Sequence, residues 1–294
     1  MTGSQAAPSS ASEPGVPDTV DVLLVPIDGS DFSRVAVPTA ARLAARLGAE
    51  INLLSAVESV DELERREREL AGVGIPGHRV RRTAVVNRDP AEAIHEALHK
   101  LDNAVACMAT HGRARSAALL GSVATEVVSR GHDPLVLVSP YMEQPRRAAG
   151  VVACVDDSPA SSSLAAMALA WAAMLGEDCT VLTVAEDAPE PVSGGPIRRG
   201  FGPDGDAEGY LASLVEPFRE AGQAVQTVVR YDPVSVWGGL YRYLLDNPAA
   251  LVVTNTRSRT GLRRLVFGSV AATIVRHSAS PVLVVPRDGR GSAA

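Results

Sequence analysis

Residues 22–57, VLLVPIDGSDFSRVAVPTAARLAARLGAEINLLSAV, decide the fold. The apolar run from Val22 ends at Asp28, Gly29 and Ser30, and an Ala-rich segment then leads to Gly48. Within it Val37, Ala40, Ala41, Ala44 and Ala45 recur at helical spacing, so the order reads strand, turn, helix. Their small side chains let the helix pack closely on a sheet, and Gly48 is its stop. INLLSAV at 51–57 then supplies a second strand.

The pattern continues outward from there. Residues 61–71 read as a polar helix with Glu62/Arg66 and Glu64/Arg68 at the four-residue offset, most simply a solvated face. A strand at 80–86 precedes Asp89-Pro90, an N-cap with a first-turn proline, and a helix over 91–100. A strand at 104–110 follows; Gly121-Ser122 opens a helix through Arg130, and Pro134 leads into the strand 135–138. Strands apolar over most of their length, alternating with helices, indicate an α/β fold with a mainly parallel sheet covered on both sides.

The order is then written a second time. VVACVDDS at 151–158 matches VLLVPIDGS at 22–30, and the strand after the first helix keeps the same offset of 128 residues. Asp89-Pro90 recurs as Asp232-Pro233 at an offset of 143, and Gly121-Ser122-Val123-Ala124 recurs as Gly268-Ser269-Val270-Ala271 at 147. Most of that growth lies in 187–208, DAPEPVSGGPIRRGFGPDGDAE, whose prolines and glycines predict a long surface loop. The expected division is a flexible tail at 1–19, domains at 20–140 and 149–287, a linker at 141–148 and a second tail at 288–294.

Length and composition agree with two domains. The chain has 294 residues, 46% of them hydrophobic, enough for a sizeable core and against global disorder. Aromatics are only 4% and the formal charge is −6, which argues against nucleic acid as a partner. Cys107, Cys154 and Cys179 form neither an even disulfide set nor a spaced metal cluster, and buried thiols in a reducing compartment account for them. With no long apolar span and no secretory signal at its start, the sequence reads as soluble and cytoplasmic, without membrane contact.

In an open parallel sheet, ligands favour the crevice at the carboxyl ends of the strands. There the sequence places Asp28-Gly29-Ser30 and Thr110-His111-Gly112-Arg113, followed by Gly121-Ser122. Glycines admit backbone amides to an anion, and a serine beside a helix N-terminus adds donors, so a nucleotide is chemically reasonable. The same residues also suit ordinary turns and caps. Neither a P-loop sequence nor a GxGxxG fingerprint occurs, and no nucleophile with a local acid partner is evident, so His111 is not assigned as a base. Asp156-Asp157 alone do not define a metal sphere. Trp171 and Trp237 fall in apolar helical contexts, which points to core or interface packing.

Asp28-Gly29-Ser30, Asp89-Pro90-Ala91-Glu92-Ala93-Ile94, and HGRARSAALLGSVATEVV leading to PLVLV resemble the universal stress protein family. The second copy, TRSRTGLRRLVFGSVAATIVRHSASPVLVVP, resembles it more closely still. The resemblance implies two tandem open five-stranded sheets of strand order 3-2-1-4-5, with ATP between the first and fourth strands. It sets Asp28 and Val57 beside ribose or adenine, and Gly112, Gly121, Ser122 and Val123 around phosphate. Asp156, Val184, Gly268 and Ser269 are the corresponding residues of the second repeat.

The family's phosphate motif is similar to Gly-x-x-Gly, nine residues, then Gly-Ser or Gly-Thr. The first repeat has Ala109 at the leading glycine, keeps Gly112 and leaves eight residues before Gly121; the second has Asn255 and Ser258 at the two glycines. The first repeat is therefore the better candidate, with Arg257, Arg259, Arg263 and Arg264 as conceivable anion contacts in the second. The expectation is an ATP-responsive stress regulator, with Mg as a possible companion of the nucleotide and with no catalytic centre. A scaffold with two degenerate pockets is the alternative, and an enzyme acting on a small anionic metabolite the third. Strands 135–138 and 282–285 are exposed edges that would pair with each other, making a dimer-like unit within one chain. A homodimer of such chains and an unidentified regulatory protein complete the expected partners.

Overall fold

A computed structural model describes residues 17–110, 120–130, 133–140, 148–185, 206–232, 234–258, 265–266 and 268–286. The first repeat runs β1 (Val22–Pro26), α1 (Asp31–Arg34), α2 (Ala36–Leu47), β2 (Glu50–Val57), α3 (Leu63–Ala71) and β3 (Val80–Val86). It continues with α4 (Pro90–His99), β4 (Ala104–Ala109), α5 (Ser122–Arg130) and β5 (Leu135–Val138). The second runs β6 (Val151–Cys154), α6 (Ser161–Leu175), β7 (Cys179–Ala185), α7 (Ala207–Glu220), β8 (Val225–Tyr231) and α8 (Val236–Asp246). It closes with β9 (Leu251–Asn255), β10 (Arg257–Ser258), β11 (Leu265–Val266), α9 (Ser269–His277) and β12 (Val282–Val285).

Each half has the expected 3-2-1-4-5 strand order, but the two sheets are one. The order is β3-β2-β1-β4-β5-β12-β9-β6-β7-β8, a continuous ten-stranded sheet. Within this sheet every pairing inside a half is parallel, and the seam between β5 and β12 is antiparallel, with Val136 opposite Leu283. The reason is the unpaired hydrogen-bonding edge that each five-stranded sheet would otherwise leave on an apolar strand. The pairing expected of 135–138 with 282–285 is the same contact that merges the sheets.

Helices cover both faces, giving one apolar layer under α2, α3, α6 and α7 and another under α4, α5, α8 and α9. Both layers draw on both repeats. Across the seam α2 meets α6, where Arg46 pairs with Glu177 and donates to Leu175 O at 2.7 Å. On the other side Ser139 Oγ donates to Arg276 O at 2.7 Å.

Several local expectations are corrected. The helix after β1 breaks at Val35 into α1 and α2, because Ser30 caps a first short helix by accepting from Ser33 N. On α3 the ion pairs are Arg65 with Glu62 and Glu69, and Arg66 with Glu69, while Arg66 is 4% exposed and not part of a solvated face. The two Asp-Pro pairs are not equivalent. Asn87 N donates to Val57 O as Asp232 N donates to Ala185 O, so strand pairing matches Asp232 with Asn87, and the N-cap matching Asp89 is Ser235. The short antiparallel pair β10-β11 was not foreseen. The tails to residue 16 and from 287, the linker at 141–147 and most of the predicted loop at 187–208 lie outside the described residues.

At the start of α4, Asp89 Oδ1 accepts from Ala91 N at 3.0 Å and Glu92 N at 3.1 Å, and its Oδ2 meets Arg130 Nη1 at 2.6 Å. The Arg130 hydrogen bond first, and the two amides next, hold this carboxyl below its ordinary value of 3.8. A depressed folded pKa adds stability above the unfolded value that is lost as pH falls below it. Asp89→Ala is therefore expected to melt earlier than wild type at pH 7, with the gap closing as acid takes the pH below 3.8. Calorimetric melting at both ends of that range checks this, and a gap independent of pH would contradict it.

Candidate functional site

At the carboxyl end of the first repeat's strands, neighbouring β1 and β4 are followed by helices on opposite faces of the sheet, α2 on one and α5 on the other, which is where an open sheet forms its crevice. A cavity of about 330 Å³ opens there, within the range of small-molecule sites. Its floor is apolar: Leu54 and Ala56 from β2, Ile94 from α4, and Met108 and Ala109 from β4. Asp28, Thr110, Gly121, Ser122 and Val123 form a more polar rim.

The rim is preset by local bonds. Asp28 Oδ1 accepts from Ser30 N at 2.9 Å and Ser30 Oγ at 2.6 Å, and Ser55 Oγ donates to Ile27 O at 2.6 Å just before it. Gly29 has φ +82°, and a Cβ there would stand 2.1 Å from Arg66 Nη1, so glycine lets the buried guanidinium lie under the loop. Opposite, Gly121 N donates to Thr110 O at 2.7 Å and Gly121 O accepts from Thr125 N at 2.9 Å, which starts α5 at the cavity wall. The first turn of α5 carries no acidic residue, so its free amides and positive dipole end favour an anion.

Of the residues expected to meet a ligand in the first repeat, Asp28, Gly121, Ser122 and Val123 come together on this cavity. Val57 is 3% exposed and is not among the cavity's lining residues; Ala56 is. Strand alternation could have said so, because Leu54 and Ala56 share a face and Val57 belongs to the other. Gly112 and His111 lie outside the described residues.

The second repeat reproduces the frame with different contents. Asp156 Oδ1 accepts from Ser158 N at 3.2 Å, and Asp156 O accepts from Ser161 Oγ at 2.6 Å and Tyr210 Oη at 2.8 Å. Burial foremost pushes the Tyr210 hydroxyl pKa up. Gly268 caps α9 without a side-chain bond, Ser269 is exposed and Val184 is 4% exposed. Asn255 ends β9, and its Nδ2 is buried without a partner. Arg257 and Ser258 sit on β10, while Arg259, Arg263 and Arg264 lie outside the described residues.

Among the described residues no group of three His, Cys, Asp or Glu is arranged to hold a metal, and no helix is long and apolar enough to cross a membrane. Trp171 is fully buried in α6, and Trp237 is half-buried on α8 beside Tyr241 and His277.

A model of the universal stress protein family matches residues 19–71, 58–139 and 150–286. Among solved structures, a universal stress protein from Archaeoglobus fulgidus DSM 4304 aligns over 91% of this chain and 98% of its own, at 18% identity and TM-score 0.65. A protein of unknown function from Pseudomonas aeruginosa PAO1 aligns over 92% of this chain and 94% of its own, at 18% identity and TM-score 0.61. A universal stress protein described as putative, from Pseudomonas aeruginosa UCBPP-PA14, covers the same shares at 18% identity and TM-score 0.58. No curated protein matches the sequence.

Proposed function

Since the chain belongs to the universal stress protein family, we propose that it is a regulator that responds to an adenine nucleotide held in the first repeat. One observation carries the reading: a cavity with an apolar floor meets a polar rim and the acid-free N-terminus of α5 at the fork between β1 and β4. The floor offers Leu54, Ile94 and Met108 to a flat base. Asp28 is an acceptor suited to sugar hydroxyls, and the α5 amides with Ser122 are donors suited to phosphate, with or without Mg on the nucleotide. Response requires only that nucleotide bind one conformation better than another.

Ala109 supports the other reading, a scaffold with degenerate pockets. It is 8% exposed on the cavity wall and adds a methyl where the family pattern has glycine.

Calorimetry with ATP on nucleotide-free protein separates the two, using Gly121→Asp as the control. Aspartate is a good N-cap, so α5 should form, but its carboxylate would face the phosphate. A unit charge about 4 Å away opposes binding strongly enough for a loss of roughly 100-fold or more. Saturable binding lost in a folded Gly121→Asp is the expected result. Absence of binding at millimolar ATP would shift the assignment to the scaffold.

A further inference from the structure

The ten-stranded sheet leaves two strands with an open edge, β3 and β8. The direction of the backbone groups on each follows from the bond that ends the strand. Asp232 N donates to Ala185 O, so alternation turns Gln226, Val228 and Arg230 toward β7 and Val225, Thr227 and Val229 outward. Asn87 N donates to Val57 O, which turns Val80, Arg82 and Ala84 outward on β3.

The two edges are defended differently. On β3 the Arg82 guanidinium reaches Val80 O at 3.4 Å, Leu70 O at 3.0 Å and Val73 O at 3.0 Å, and exposed Arg81 stands beside it. Charge on an edge strand keeps other strands away. On β8, Arg219 from α7 occupies Val225 O at 3.2 Å, and the cover stops there. The N–H and C=O of Thr227 and Val229 have no partner among the described residues. The strand carries one charge, Arg230, whose guanidinium lies over the Tyr243 ring of α8 at 5.3 Å. Thr227, Val228 and Val229 are three β-branched residues in a row, all half-buried, and no proline or lysine interrupts β8.

We infer that β8 is the surface through which two copies of this chain pair, antiparallel about a twofold axis at Val228, so that two ten-stranded sheets become one. The edge is complementary to its own copy. With Val228 opposite Val228, Thr227 of one copy meets the partner's Val229, and each such pair exchanges both of its N–H···O bonds. Every open group of Thr227 and Val229 is then met. The next position sets Gln226 beside the partner's Arg230, so no like charges oppose, and the Thr227–Val229 contacts are favourable cross-strand pairs. The antiparallel seam of β5 with β12 already closes the inner edges of the two halves in this way, and β8 repeats that solution between molecules.

Sedimentation velocity on the full chain should show a dimer. Val229→Pro removes an outward N–H that β7 does not use, so the fold should persist by circular dichroism. Self-association should weaken at least about tenfold, because the proline leaves a carbonyl of each copy unmet. Thr227→Lys puts a charge on the same edge and should act likewise, which keeps the test decisive if the proline variant misfolds. The axis is read with Val228→Cys. Its thiols would face each other in a non-hydrogen-bonded pair, so oxidised glutathione should couple the copies, whereas Gln226→Cys, facing Arg230, should stay uncoupled. The native cysteines are buried and do not compete. A wild type that is monomeric at every concentration, or a dimer that survives in folded Val229→Pro and Thr227→Lys, would overturn the inference. Coupling through Gln226→Cys with none through Val228→Cys would overturn the pairing at Val228.

Discussion

Between pH 9 and pH 10 the folded chain is expected to lose about 3 kcal/mol of stability through its three thiols. Cys107, Cys154 and Cys179 are free and buried in strands β4, β6 and β7, and burial pushes each pKa from 9.0 up to about 12. The sign follows from where the proton is held more tightly. Below pH 9 both states keep it; above, the unfolded chain gives it up while the folded chain retains it, so stability falls until the folded value is passed. Each thiol contributes about 1 kcal/mol to the first unit of that fall and about 1.3 kcal/mol to the next, before the native thiols begin to ionise as well. Urea unfolding at pH 9 and pH 10, for wild type and the triple Cys→Ala variant, isolates the effect. The variant starts lower because of its cavities yet should lose about 3 kcal/mol less over the interval. Equal losses would contradict the assignment. Burial keeps the three native thiols protonated and out of reach at pH 8, so disulfide reagents should label the protein only through unfolding.

Trp171→Ala is expected to cost about 3–5 kcal/mol, a large part of the stability of an ordinary domain. Trp171 is 0% exposed on α6, in the apolar layer that α2, α6 and the sheet share across both repeats. Its Nε1 is buried without a partner. That orphan donor carries a desolvation cost of about 1–3 kcal/mol, which Trp171→Phe removes along with part of the ring. Both variants remove that donor, but the Phe variant keeps most of the buried ring and should lose less than half of what the Ala variant loses. Urea midpoints of the two variants decide it; matching losses would mean that the ring's packing is not what Trp171 contributes.

The strands were legible because a buried parallel sheet demands unbroken apolar runs, and VLLVP, LVLV and VLVV are unbroken. The motif residues at the ends of β1 and before α5 were legible for a related reason: turns and helix starts use few residue types. What escaped depended on distance or parity. Nothing in LVLV says that its partner is the other repeat's VLVV in a common sheet rather than at a contact between separate ones. The paired Asp-Pro motifs invited a match that the backbone refuses, since one inserted residue before α8 moves the cap to Ser235. Val57 was one residue from Ala56, and in a strand one residue is the opposite face. The packing of Val184 against the backbone of Gly239 joins two residues far apart in sequence, neither unusual alone.

The seam of β5 with β12 changes what the protein can vary. In a twofold dimer each interface residue meets its own copy, so every substitution there is made twice and must suit itself. Here Val136 faces Leu283, different residues encoded once each. Joining the halves also fixes their effective concentration, so dilution cannot part them. Freed from both constraints, the two halves can change residue by residue in different directions, and the pair still folds as a unit.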